Sequence, residues 1–195
     1  MSKYRILCLL LLLLFSYSGN SQYKRETEKR IKPSQFPENS LELIAPQLTD
    51  VKRLRYYREQ DSSKVSYELK FKKGRMFYSV EFSEDGQLED IELLVKEVDI
   101  PGDSWESMQQ YFKDNFTKFR IKKIQQQYPL LPGSTPQKTI RNAFQNLLIP
   151  ELNYEVIVSG KQEKTYSEYE ILFDASGNFI SKRTSIPAPY AHIIY

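Results

Sequence analysis

In 195 residues the chain has one cysteine, one histidine, one tryptophan and seven glycines, and each scarcity excludes some chemistry. A lone cysteine forbids an intramolecular disulfide and a multi-thiolate metal site. A lone histidine, His192, forbids a two-histidine metal site; it sits in a C-terminal stretch beside Ala191 and Ile193, where a packed or solvated imidazole is the expectation rather than a catalytic base. The glycines are scattered singly, so no phosphate-cradling loop exists. Charge of one sign is also scarce: 28 Lys and Arg stand against 25 Asp and Glu, and the field needed for nucleic-acid binding is missing. These absences predict no catalytic residues, no cofactor and no metal.

What the chain does have begins with an export address. Lys3 and Arg5 precede an apolar run of ten residues from Ile6 to Phe15, and Gly19 and Ser21 supply small side chains before Gln22. That is the layout of a secretory signal peptide over residues 1–21, and the run is too short to span a bilayer. Cys8 lies within it and leaves with it. Losing Lys3 and Arg5 changes the balance to 26 against 25, close to neutral. The expected location is exported, periplasmic or extracellular, with no stable membrane insertion after cleavage.

Residues 22–35 are polar and highly charged, a flexible lead-in or an edge strand. Phe36-Pro37-Glu38-Asn39-Ser40-Leu41-Glu42 then has the spacing of a capping box, Asn39 to Glu42, and Pro46 limits the helix it opens. From Val51 the apolar period becomes two. Ser66–Lys72 and Arg75–Ser83 read as a hairpin across Lys73-Gly74, which pairs Phe71 with Met76, Leu69 with Tyr78 and Tyr67 with Val80. A second hairpin across Asp85-Gly86 pairs Val80 with Ile91 and Tyr78 with Leu93. Both turns place the same apolar residues on one face, and a one-residue slip would destroy the agreement.

The pattern then restarts. Ile100-Pro101-Gly102-Asp103-Ser104-Trp105-Glu106 echoes the segment at Phe36, followed by a helical stripe of Trp105, Met108, Phe112 and Phe116. Ile121 to Ile124 answers Val51 to Leu54, and Asn153 to Val158 answers Ser66 to Phe71. A turn through Gly160 leads to Tyr169-Glu-Ile-Leu-Phe-Asp-Ala-Ser-Gly-Asn-Phe-Ile180, which matches the stretch from Tyr78. An extra helix is predicted near 136–148. The fold class that follows is α+β: two tandem units, each a helix plus a four-stranded antiparallel sheet, at residues 36–99 and 100–186, with an extended tail at 187–195.

A helix, a basic strand and Tyr-Glu-hydrophobic strands ending in Phe-Asp-x-x-Gly-Asn resemble the PepSY-like modules of secreted bacterial proteins. The tandem arrangement is similar to the two-repeat β-lactamase inhibitor proteins, and more closely to exported PepSY-like proteins of Bacteroidetes. The resemblance implies this fold, an exported address and a tendency to bind or inhibit other proteins, with no catalytic residues.

Two constellations remain. Counted from Glu81, the residues Ser83, Asp85, Gly86, Leu88, Glu89 and Glu92 fall at the positions of an EF-hand calcium loop. The flanks alternate as strands where that motif needs helices, and the matching second-copy positions are Leu172 and Arg183, so a hairpin with an acidic face is the expectation. On the sheet face turned away from the helices, the pairings gather Glu68, Lys70, Phe77, Glu81, Asp90, Glu92 and Leu94, with Ile157, Tyr166, Glu168, Glu170 and Leu172 in the second unit. Either the two units pack these faces together or against the inserted helix, or the face is a docking surface. The docking reading uses Phe77, Tyr166 and Leu94 as anchors and Glu81, Asp90 and Glu92 as a charged rim. It makes the protein a non-enzymatic binding module for another secreted or envelope protein. A small-ligand or glycan binder, drawing on 14 tyrosines, is the alternative, and a carboxylate-dependent hydrolase a more distant one.

Overall fold

The computed structural model describes residues 23–24, 26–61 and 64–185; the expected signal peptide, Cys8, His192 and the 187–195 tail lie outside them. The strands are β1 (Tyr23–Lys24), β2 (Glu26–Ile31), β3 (Lys52–Asp61), β4 (Lys64–Lys73), β5 (Met76–Ser83), β6 (Leu88–Leu94), β7 (Lys118–Pro129), β8 (Asn153–Gln162), β9 (Thr165–Asp174) and β10 (Phe179–Ser185). Three α-helices interrupt them: α1 (Glu38–Ile44), α2 (Gly102–Asn115) and α3 (Pro136–Phe144). All strands join one sheet in the order β1-β10-β9-β8-β7-β6-β5-β4-β3-β2. Every pairing is antiparallel except the short β1–β10 contact. The architecture is α+β, and the stretches expected to form separate sheets are continuous through β6–β7, from Asp90↔Pro129 to Leu94↔Gln125.

Alternation sets the core. Leu69, Phe71, Tyr78, Val80, Phe82, Ile91 and Leu93 project to one face, as do Tyr154, Val156, Val158, Tyr169, Ile171 and Phe173, and all are buried. Ile44 of α1, Met108 and Phe112 of α2, and Ile140 and Ala143 of α3 close over them. Each fully buried large side chain contributes roughly 2 kcal/mol by removal from water. Phe144 seats α3 by stacking on Tyr78 at 4.6 Å between ring centres, and Tyr78 in turn stacks on Phe71. α3 ends at Phe144 rather than 148, leaving Leu147 and Leu148 exposed beyond it.

The expected Val80–Ile91 and Tyr78–Leu93 pairs are present. The preceding hairpin differs: Phe71 pairs with Tyr78, Leu69 with Val80 and Tyr67 with Phe82. Gly74, at φ +59°, is the first turn residue rather than the second, and the resulting shift of two positions leaves every side chain on its expected face. Gly160 lies inside β8, with the ring of Phe116 packed where a side chain would stand, and the turn falls at Glu163-Lys164.

Neither the Asn39–Glu42 capping box nor its echo at Asp103 and Glu106 forms. Pro37 and Pro101 are the N-caps of α1 and α2 and make no side-chain cap bond. Polar residues in the first two turns of each helix reach instead to a hairpin turn. Asn39 Nδ2 donates to the Asp85 carbonyl at 2.9 Å and Ser40 Oγ to that of Gly86 at 3.0 Å. Ser104 Oγ donates to the Ala175 carbonyl at 2.8 Å and Ser107 Oγ to that of Gly177 at 3.0 Å. Gly86 and Gly177 have φ of +74° and +80°, and each lets a helix lie directly on its turn.

The sheet is strongly curled. β1 lies on one edge strand and β2 on the other, yet Arg25 alone separates them in sequence. Ten strands laid flat would hold those edges roughly 40 Å apart. Arg183 of β10 also reaches Asp61 of β3 at 3.8 Å. Register shifts in β3–β4, β5–β6, β7–β8 and β9–β10 supply the bend, because a bulge bends its strand and increases the local twist.

Candidate functional site: a carboxylate-lined inner face

The second face of the sheet lies inside the curl, and among the described residues no helix covers it. Its side chains are nevertheless shielded: Glu59, Glu68, Ser79, Glu92, Gln125, Glu155 and Glu170 are all buried. Curvature explains this, since side chains on a concave surface converge while those on the outer face spread. Buried carboxylates demand partners.

Near β2–β4 the partner is Lys70. Its Nζ lies 2.6 Å from Glu28, 2.7 Å from Glu68 and 4.0 Å from Glu59, with the Tyr57 ring centre 4.9 Å away. Burial works against that charge, but Glu68, Glu28 and Glu59 outweigh it and hold the ammonium protonated well above the ordinary lysine range. Ser79 donates to Glu68. At the far side Arg183 pairs with Glu170, and Lys122 with Glu168.

In the centre, Glu81 stands opposite Asp90 across β5–β6, and Glu92 follows on the same face. The three carboxylates each present an oxygen within 4.8 Å of the others. Gln125 Nε2 donates to Glu92 at 2.5 Å, Gln127 Nε2 to Asp90 at 2.9 Å, and Asn153 Nδ2 to the Gln127 carbonyl at 3.2 Å. Burial, then the nearby Glu155 and Glu89 charges, push Asp90 up to about 7. Burial and the Glu155 and Asp90 charges likewise raise Glu92 well above the ordinary carboxylate range, against a smaller opposing pull from Lys123.

All six residues expected to form a partner-binding surface project from this face. Phe77 and Leu94 lie one step beyond the Tyr78–Leu93 pair, with the Arg53 and Lys72 cations 5.9 and 5.2 Å from the Phe77 ring centre. Glu81, Asp90 and Glu92 sit beside them. Tyr166 lies on the same face of β9 as Glu168 and Glu170 but apart from the other five, near the β8–β9 turn, 55% exposed and beside Lys161. The sequence reading missed Gln125, Lys123 and Glu155 as neighbours of the acidic trio, because only the β6–β7 and β7–β8 pairings bring them there. Alternation along Ile124-Gln125-Gln126-Gln127-Tyr128 was the available signal.

No family model matches the chain, and no curated protein matches it. Solved structures do resemble its fold. A DUF2874 family protein of Bacteroides ovatus is 12% identical with a TM-score of 0.52, covering 76% of this chain and 87% of its own. A protein of Bacteroides eggerthii described, provisionally, as periplasmic is 12% identical with a TM-score of 0.51, covering 76% and 88%. A BLIP-like protein of Bacteroides fragilis is 10% identical with a TM-score of 0.50, covering 83% and 93%. The fold is therefore of the BLIP-like, DUF2874 type. Among the described residues no helix is long and apolar enough to cross a membrane.

Proposed function

We propose that the protein is an exported, non-enzymatic binding module that receives a cationic segment of a secreted or envelope protein against its concave face. The supporting observation is the gathering of Glu81, Asp90 and Glu92 on the side without described helices, bordered by Phe77 and Leu94. Such a face favours a partner that brings positive charge and some apolar contact. The signal-peptide layout of residues 1–21 supports export, as does the provisional periplasmic description of one fold neighbour.

The same reading treats the chain as a PepSY-like duplication, residues 36–99 and 100–186. Its support is the repeated docking of a helix's first turn on a hairpin glycine, Gly86 and then Gly177. It also keeps Tyr166 as an outlying contact at the exposed β8–β9 turn.

The test is retention of envelope proteins on immobilised mature protein, compared with the Phe77→Ala, Glu81→Lys double variant. The double variant should lose the retained partner and keep its circular dichroism spectrum. Undiminished retention by the folded double variant would show that the concave face is not the contact.

A further inference from the structure

We propose that Glu81, Asp90 and Glu92 form a binding site for a hard divalent cation, calcium in preference to magnesium. Two oxygens bound to one calcium at about 2.4 Å lie at most about 4.8 Å apart, and the three carboxylates meet that limit mutually. The hairpin builds the trio without an EF-hand: Glu81 and Asp90 are cross-strand partners, and Glu92 is the next residue of β6 on that face.

A second observation points to a ligand. Gln125 is 6% exposed, and its carboxamide lies against Glu92. Its Oε1 has no hydrogen-bond partner. A buried carbonyl oxygen left without a donor is destabilising, and beside a carboxylate it finds relief in a cation that both oxygens can bind. Asp90 Oδ1 is likewise buried and without a hydrogen-bond partner.

The neighbouring trio shows what this fold places among three carboxylates: Glu28, Glu59 and Glu68 form an equivalent group, and Lys70 is seated within it. Around the central trio, Glu68, Glu89 and Glu155 add negative charge to Asp90 and Glu92, and Lys123 opposes them at Glu92. Lys64, paired with Glu89 at 2.8 Å, also acts on Glu81 and Asp90; with both lysines counted the acidic groups still outnumber the basic ones. Oxygen-only donors disfavour zinc and copper, which prefer imidazole and thiolate. Buried ligands from three strands suit the irregular, dehydrated coordination of calcium better than the hydrated octahedron of magnesium.

The test is calorimetric titration of chelator-treated mature protein with calcium and with magnesium at about pH 7.5, paired with thermal melts. One calcium should bind, at least about tenfold tighter than magnesium, with a dissociation constant no weaker than the 10⁻⁴–10⁻³ M of extracellular modules. The melting temperature should rise with calcium concentration. Glu92→Gln and Asp90→Asn should each abolish binding, Gln125→Leu should weaken it about tenfold, and Glu28→Gln should leave it intact. Absence of heat and of a melting shift at about 10 mM calcium, well above that range, would overturn the proposal. So would binding that survives in the folded Asp90→Asn, Glu92→Gln double variant.

Discussion

Lys70 and Glu68 occupy the same face of β4, two residues apart, and the lysine Nζ lies 2.7 Å from the glutamate Oε2. The same ammonium also serves Glu28 and Glu59, so its removal strands buried charge. Lys70→Met is expected to destabilise the protein by about 2 kcal/mol at neutral pH, less than for a fully buried pair because the lysine is partly exposed. Urea unfolding of the variant beside the parent protein checks the expected loss.

Asp90 and Glu92 act on stability in the opposite sense from a salt-bridged carboxylate. Both are held above their ordinary values, Asp90 at about 7, so the folded state binds more protons than the unfolded chain between about pH 4 and 7. Their contribution is fully present below about pH 4 and is lost as the pH rises through 7. Between about pH 5 and 8 the melting temperature should fall by several degrees, and Asp90→Asn with Glu92→Gln should flatten that slope. Thermal melts across the range provide the check.

The two docked turns differ in tolerance. A Cβ on Gly177 would stand 2.2 Å from the Ser104 carbonyl oxygen, which belongs to a helix backbone, whereas one on Gly86 would meet the Asn39 side chain. Gly74, also at positive φ, has nothing within 4 Å of such a Cβ. Alanine should therefore cost about 1 kcal/mol at Gly74 and about 3 kcal/mol or more at Gly177, with Gly86 between them. Denaturant midpoints of the three variants test the order.

Gln126 is wholly buried on the core face, paired across strands with Leu93 and Tyr154; neither of its amide atoms has a well-formed hydrogen bond, and the buried Tyr154 hydroxyl lies beside it. Gln126→Met combined with Tyr154→Phe keeps the volume and removes both polar groups. It should stabilise the protein by about 1 kcal/mol, read as a higher urea midpoint with unchanged slope.

Local patterns carried much of this structure in the sequence. Asp85-Gly86 marked where β5 turns into β6, but the pairing of Glu81 with Asp90 also depends on a register shift between Glu81 and Phe82 that local patterns do not reveal. Lys73-Gly74-Arg75 admits two placements of a two-residue turn, and the positive φ of Gly74 selects the other one. Asn39 looked like a cap because its residue type suits an N-terminus, but the turn packed against the helix competes for the same side chain. The curl was not legible: it depends on the β1–β10 contact between nearly opposite ends of the chain. Gln125 and Glu155 were hidden for a related reason, since no tight turn links β6 to β7 and α2 intervenes.

The neighbourhood of β1 and β10 has a consequence for the order of folding. β2 can pair with β3 as soon as residue 61 is available, but β1 must wait for its partner, the last strand to be made. Closing the ring is therefore a late, long-range event, the slow kind of step in strand-rich chains. Until it happens β9 presents a bare border to any other unfinished chain. A nascent chain stalled before Phe179 would be more prone to self-association than the finished one, although nearly all of its interior is already made.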